Sequence, residues 1–363
     1  MSDNLRRYHA IRDAIAQWFP SAMNGQQRRH LMTLAAIISG IVGSRHSHLD
    51  KLAAKVPLRA KPESRVKRFA RFLANDAISP QIFFLPVAAT LLASLAHCPL
   101  VLLLNGSTVG RECMVLLVSV AYRNRALPLA WVVVRGSKGH LSEDVHLQVL
   151  HQLLPLVPRT AEVVLLGDGE FDNTLFQQTL QAAGWTYVCR TASNLLIASD
   201  GEWFPVSDLA RVPGVCVLVP DVRFTKEGYG PVNIIAWWEH GHAKPLFLVT
   251  NALLCEEACR WYRRRFRIET LFSDQKSRGF HLHKSHLSEP IRLVRLVIAA
   301  ALAYLWMIFL GTLAQVEGWD RIIHRTERCD LSLFQLGLRL LEYFLNEGMP
   351  IPVGFVMLDS DYK

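Results

Sequence analysis

Three extended apolar runs follow one another with no helical pattern between them: Leu100 to Leu104, Cys113 to Tyr122 and Leu127 to Val134. A turn at Arg123-Asn124-Arg125 joins the last two, so they read as an antiparallel hairpin. A helical pattern from Ser142 to Leu153 comes next, then the apolar run "AEVVLLGD". A helix from Asn173 to Ala183, stopped by Gly184, and the short strand "WTYVCR" complete the series.

Three strands, helix, strand, helix, strand is the order of a ribonuclease-H-like fold, an α/β layer on a mixed sheet. The core therefore begins in residues 98–190. Residues 1–97 read as a helical region broken at Pro20, Pro57, Pro62 and Pro80. Within it, "HLDKLAAKV" and "ESRVKRFARFLAN" have the layout of a helix-turn-helix-like unit. Residues 191–254 are strand-like and turn-rich and read as a β-rich insertion. Helical patterns resume over 255–312, the expected final core helices, and continue through a C-terminal region, 313–363.

Lys and Arg outnumber Asp and Glu by 40 to 31, a formal charge of +9 that favours a polyanionic partner. Arg59, Lys61, Arg65, Lys67, Arg68 and Arg71 cluster on the second of the two short helices and the approach to it, with only Glu63 opposing them. Such a cluster suits either a solvated helix face or phosphate binding. The N-terminus has no secretory pattern, and seven scattered cysteines without a CxxC pair point to a reduced cytosolic protein with buried thiols. Cys255 and Cys259, one helical turn apart, are read as thiols rather than ligands. The charge-free run from Leu296 to Leu310 is short for a membrane span and reads as a buried core helix.

The segment "WYRRRFRIETLFSDQKSRGF" carries the most chemical information. On a helix of roughly 100° per residue, Tyr262, Arg265, Glu269 and Lys276 fall at about 0°, 300°, 340° and 320°. One face would present a phenol, a guanidinium, a carboxylate and an ammonium. The same spacing also suits a solvated helix with an internal Arg265–Glu269 ion pair.

Tyr-x2-Arg-x3-Glu-x6-Lys resembles the Y-R-E-K signature of bacterial insertion-sequence transposases, cut-and-paste enzymes whose donor ends pass through DNA hairpins. The resemblance covers roughly residues 99–312. It implies that Glu269 is the third acid of a metal-binding triad on a ribonuclease-H-like core, with Tyr262, Arg265 and Lys276 as DNA contacts. The second acid belongs at the end of the fourth strand. There "VVLLGDGEFD" offers Asp168, Glu170 and Asp172, and Asp168 directly follows the apolar run. Asp172 precedes "NTLFQQTLQAAG" and is expected to cap that helix or lie in its first turn.

The first acid should end the first strand, and that position holds Asn105 in "LLLNGST". The spacing, 63 residues from Asn105 to Asp168 and 101 from Asp168 to Glu269, accommodates the intervening elements. Such triads hold two divalent ions, Mg²⁺ or Mn²⁺, for in-line phosphoryl transfer. An Asn there removes a full negative charge where hard cations want one. The expectation is severe loss of catalysis with DNA binding retained, whether the Asn was introduced or arose in a copy that no longer transposes.

The implied activity is binding of terminal inverted repeats, with strand cleavage, hairpin formation and strand transfer in a form carrying Asp at 105. Double-stranded DNA is the implied partner, a DNA-bound homodimer the implied assembly, and the bacterial cytoplasm at the nucleoid the implied location, with no membrane. The alternative is a non-cleaving, end-binding regulator of transposition. His281, His283 and His286 read as a backbone-contacting loop, while Trp203, Trp237 and Trp238 are candidates to stack on a flipped base.

Overall fold

The structure, a computed structural model, describes residues 2–19, 24–136, 141–199, 201–225, 228–325 and 329–357. Pro20 lies outside them. Among the described residues the chain opens with helices α1 (Asp3–Gln17), α2 (Gly25–Ser44), α3 (Leu49–Ala54), α4 (Pro62–Ala74), α5 (Pro80–Phe83) and α6 (Leu85–Leu95). Proline occupies the first turn of α4, α5 and α6, where its missing N–H costs nothing and its fixed φ suits a helix start. The two short helices expected around the basic cluster are α3 and α4.

The core follows as β1 (Leu100–Val109), β2 (Cys113–Tyr122), β3 (Arg125–Arg135), α7 (Glu143–Leu153), β4 (Val163–Gly167), α8 (Thr174–Ala182) and β5 (Thr186–Thr191). β1 pairs antiparallel with β2, and β2 with β3, whereas β1–β4 and β4–β5 are parallel. The strand order β3-β2-β1-β4-β5 is that of a ribonuclease-H-like sheet. β1 and β2 are almost wholly buried along their length, as strands covered on both faces must be.

Five more strands, β6 (Leu196–Ser199), β7 (Glu202–Pro205), β8 (Val215–Phe224), β9 (Tyr229–Trp238) and β10 (Leu246–Thr250), come from the insertion. They do not form a separate layer. β10 pairs antiparallel with β5, so the insertion extends the core sheet to ten strands in the order β3-β2-β1-β4-β5-β10-β9-β8-β6-β7. Helices α9 (Cys255–Tyr262) and α10 (Arg267–Gln275) return to the core, packing on β4–β5 and on β1–β3 respectively.

The charge-free run lies inside α11 (Pro290–Val316), a helix long and apolar enough to cross a membrane by length and composition. Its most apolar stretch is 89% buried against the rest of the molecule, including β3, α2 and α13 (Leu333–Asn346), which follows the short α12 (Asp320–Ile323). Gly311 and Gly337 set how closely α11 and α13 approach. A Cβ on either would come within 1.9 Å of a backbone carbonyl of the facing helix, Leu333 or Met307.

Two local expectations are corrected. The cap of α8 is Asn173, whose Oδ1 accepts from Phe176 N at 2.9 Å. Asp172 instead accepts from Thr191 Oγ1 at 2.7 Å, and burial raises its carboxyl above the ordinary range. Nor does β1 end at Asn105: its ladder with β2 continues to Val109, because an antiparallel partner is available along the whole strand.

Candidate active site

The last parallel pair given by the register of β1 and β4 is Leu103 with Leu166. Two residues further along each strand stand Asn105 and Asp168, at the point where the parallel pairing gives out and the sheet opens into a cleft. Asn105 is 2% exposed, while the Asp168 side chain is 32% exposed. Asp168 is the acid of its loop that reaches Arg265. Glu170 accepts from Leu141 N, and Asp172 is held by Thr191.

Glu269 enters from α10. Its Oε1 accepts from Asn105 Nδ2 at 2.8 Å, and Asn105 Oδ1 accepts from the N–H of Gly106 at 2.8 Å. Between the two carboxylates sits Arg265, 6% exposed, with Nη1 3.4 Å from Asp168 and 3.8 Å from Glu269. Its Nε and Nη1 are buried and make no hydrogen bond. A guanidinium carrying unmet donors in a cleft is costly unless something is bound there, on the order of 1–3 kcal/mol for each such group.

The four residues expected on one helix face do not lie on one helix. Arg263–Phe266 tightens to a 3₁₀ turn between α9 and α10, changing the rotation per residue from about 100° to about 120°. Lys276 lies past the end of α10. The structure nevertheless keeps Tyr262, Arg265 and Glu269 together at the cleft, with Lys276 further along β1. Tyr262 is buried, with the Arg265 guanidinium 5.9 Å from its ring. Burial raises its hydroxyl well above the ordinary value against the opposing pull of Arg265, so Tyr262 stays a neutral phenol. Lys276 Nζ donates to Thr108 Oγ1 at 3.0 Å, three residues along β1 from Asn105.

Residues 105–306, more than half of the chain, match the family model described as the transposase DDE domain, and the match begins at Asn105 itself. The chain belongs to that family. Among solved structures, the cryo-EM structure of the piggyBac transposase synaptic complex with hairpin DNA is similar at 12% identity and a TM-score of 0.45, over 94% of this chain and 78% of that one. No curated protein matches.

DDE transposase domains use divalent metal ions, and the donors present here test that requirement. Asp168 and Glu269 both lie against Arg265 Nη1, so a single hard cation displacing that guanidinium would find two carboxylates. Position 105 does not complete a pair. Its oxygen is bound to Gly106 N, its amide donates toward Glu269, and it carries no charge. The donor set fits one divalent ion and does not fit two ions bridged at residue 105.

Some of the basic residues expected to meet DNA also have structural partners. Arg65 donates to the carbonyls of Ala53, Val56 and Ala60, tying α4 to the end of α3, and Arg68 bonds Thr33 Oγ1 on α2. Lys67 and Arg71 are exposed. The sequence reading missed Arg190 and Lys244, which line a cavity of about 660 Å³ with Asp168, Gly169, Thr191 and Ser193. Arg190 is the penultimate residue of β5, adjacent to the end of β4, and strand order was the signal that could have found it. Of the three tryptophans, Trp237 is buried under the Arg263 guanidinium, Trp238 Nε1 donates to His242 O, and Trp203 is 48% exposed on the edge strand β7.

Proposed function

We propose that this chain is an end-binding transposase of the Y-R-E-K type whose strand-cleaving chemistry is disabled at Asn105. The observation that carries the reading is the Asn105–Glu269 hydrogen bond, with Asp168 and Arg265 alongside. Position 105 occupies the corner of the cleft where a third carboxylate belongs, and an amide fills it.

In this reading Arg265 directs its two unmet donors at phosphate oxygens of the transposon end, and Lys276, Arg190 and Lys244 extend the cationic surface along the backbone. Tyr262 supports Arg265 and keeps its proton at neutral pH. In the competent form, Mg²⁺ or Mn²⁺ ions held by aspartate at 105, Asp168 and Glu269 would supply the Lewis acidity for cleavage, hairpin formation and strand transfer. The amide here removes one unit of negative charge while leaving the phosphate-binding side chains in place. We further propose that the chain acts as a homodimer on paired terminal inverted repeats, in the bacterial cytoplasm at the nucleoid.

The test is a binding and nicking assay on duplex DNA carrying the inverted repeats that flank the coding sequence. The expected result is repeat-selective binding that weakens steeply with salt and leaves both strands intact in Mg²⁺ or Mn²⁺. Nicking at the repeat ends by the native chain would overturn the disabled assignment. Equal binding to unrelated duplex would overturn the end-binding one.

A further inference from the structure

Far along the sheet from the acids, three thiols meet. Cys216 is on β8, while Cys255 and Cys259 are on α9, four residues apart and therefore on one helix face. All three sulfurs lie within 4.8 Å of one another, with Cys216 Sγ 3.9 Å from Cys259 Sγ. Sulfurs around a tetrahedral ion with metal–sulfur bonds of about 2.3 Å stand about 3.8 Å apart. The thiols are thus spaced nearly as a bound ion would space them, although 43 residues separate β8's cysteine from the buried one.

We propose that Cys216, Cys255 and Cys259 form a site for a soft, thiophilic cation, Zn²⁺, that fastens the insertion to the helix leading into Arg265 and Glu269. The chemistry is a ligand exchange: three thiols lose three protons, three sulfur–zinc bonds form, and a water fills the fourth position. Soft thiolates select Zn²⁺ over the hard cations suited to the acidic cleft. Exposure of Cys216 gives the ion a route in, and burial of Cys259 keeps the complex dry on one side. Without a cation the thiols oppose one another's ionisation. Burial, then the neighbouring Cys216, pushes Cys255 up to about 12, and Cys259 is raised as well. Cys255 is also the first residue of α9, where the helix dipole favours an anion. A disulfide would need an oxidant, would draw two of the sulfurs to about 2.05 Å, and would leave the third unused.

The test uses the full chain, reduced and freed of metal by chelation, titrated with Zn²⁺ and separately with Co²⁺ as a spectroscopic substitute. One equivalent of Zn²⁺ should bind with release of three protons and raise Tm by several degrees. Co²⁺ should give an intense thiolate-to-metal charge-transfer band. Cys216→Ser, the exposed position and the variant least able to disturb folding, should lose the band and the Tm increment. Cys98→Ser and Cys329→Ser should retain both. No band in the native chain, a band surviving in Cys216→Ser, or a Cys216–Cys259 disulfide forming in place of metal binding would each overturn the proposal. The acidic cleft cannot imitate the result, since carboxylates give no such band.

Discussion

Two buried arginines, Arg265 and Arg295, show how one side chain serves two ends. They are 6% and 3% exposed. Arg295, on α11, directs Nε to Ile78 O at 3.0 Å, Nη1 to Leu73 O at 2.9 Å and Nη2 to Asp76 Oδ1 at 2.6 Å. Two of those acceptors are backbone carbonyls at and just beyond the end of α4, groups that a helix terminus leaves without partners. Arg265 leaves Nε and Nη1 unbonded and holds them beside two carboxylates, neither close enough in good geometry to satisfy them. The first arginine fastens elements together. The second leaves two donors unmet, the capacity that the proposed phosphate contact would use.

The largest expected effect lies in the cleft around Arg265. Asn105→Asp should restore cleavage of repeat-bearing DNA in Mg²⁺ by at least on the order of 10²-fold, since a metal site contributes several kcal/mol of transition-state stabilisation. A gel assay of end nicking reads it, and an unchanged rate would place the defect elsewhere. Next comes Arg295→Ala, which strips partners from buried carbonyls and should lower unfolding free energy by about 3 kcal/mol in a urea titration. A change below about 0.5 kcal/mol would erase the contrast between the two arginines.

Arg265→Ala should behave the opposite way. Its stability change should be small, because relief of the unmet donors offsets loss of the charge that shields Asp168 and Glu269, while affinity for repeat DNA falls roughly tenfold. Full affinity in this variant would show that Arg265 is fastening after all.

A buried acid provides the smallest of these effects. Asp274 Oδ2 has no hydrogen bond, Arg125 Nη1 stands 3.8 Å away, and burial lifts the carboxyl from 3.8 to about 6. Between those values the folded chain holds a proton that the unfolded chain has released, so this group's contribution to stability falls as pH rises from about 4 to 6 and stays low above that. Asp274→Asn should remove that part of the slope and, after losing the attraction of Arg125, raise stability at pH 7 by about 1 kcal/mol. Thermal unfolding across pH 4–8 checks it, and an unchanged slope would refute it.

The strand order of the core was legible because apolar runs with turn signals between them survive any packing detail. Asp168 could be named because the apolar run of β4 stops just before it, whereas Glu269 and Asn105 were named from the Y-R-E-K resemblance and neither stands at a strand end. Less local features were not legible. A tightened turn at Arg263–Phe266 and the end of α10 at Gln275 leave no mark on residue periodicity, so Lys276 was placed on a helix it does not share. The cap of α8 moved from Asp172 to Asn173 because a hydroxyl on β5 competes for the aspartate. Arg65 and Arg68 read as a solvated face or as phosphate-binding charge, and the backbone carbonyls and threonine they bond come only with tertiary packing. Cys216 joins Cys255 and Cys259 across 39 residues or more, through strand pairing that spacing alone does not encode.

Counting bound Mn²⁺ by electron paramagnetic resonance in the native chain and in Asn105→Asp tests directly the proposal that residue 105 decides how many cations the cleft holds, because a hard cation ignores the thiols and reports the acids. No more than one ion is expected in the native cleft and two in the variant. Two ions in the native chain, or the same count in both, would contradict it.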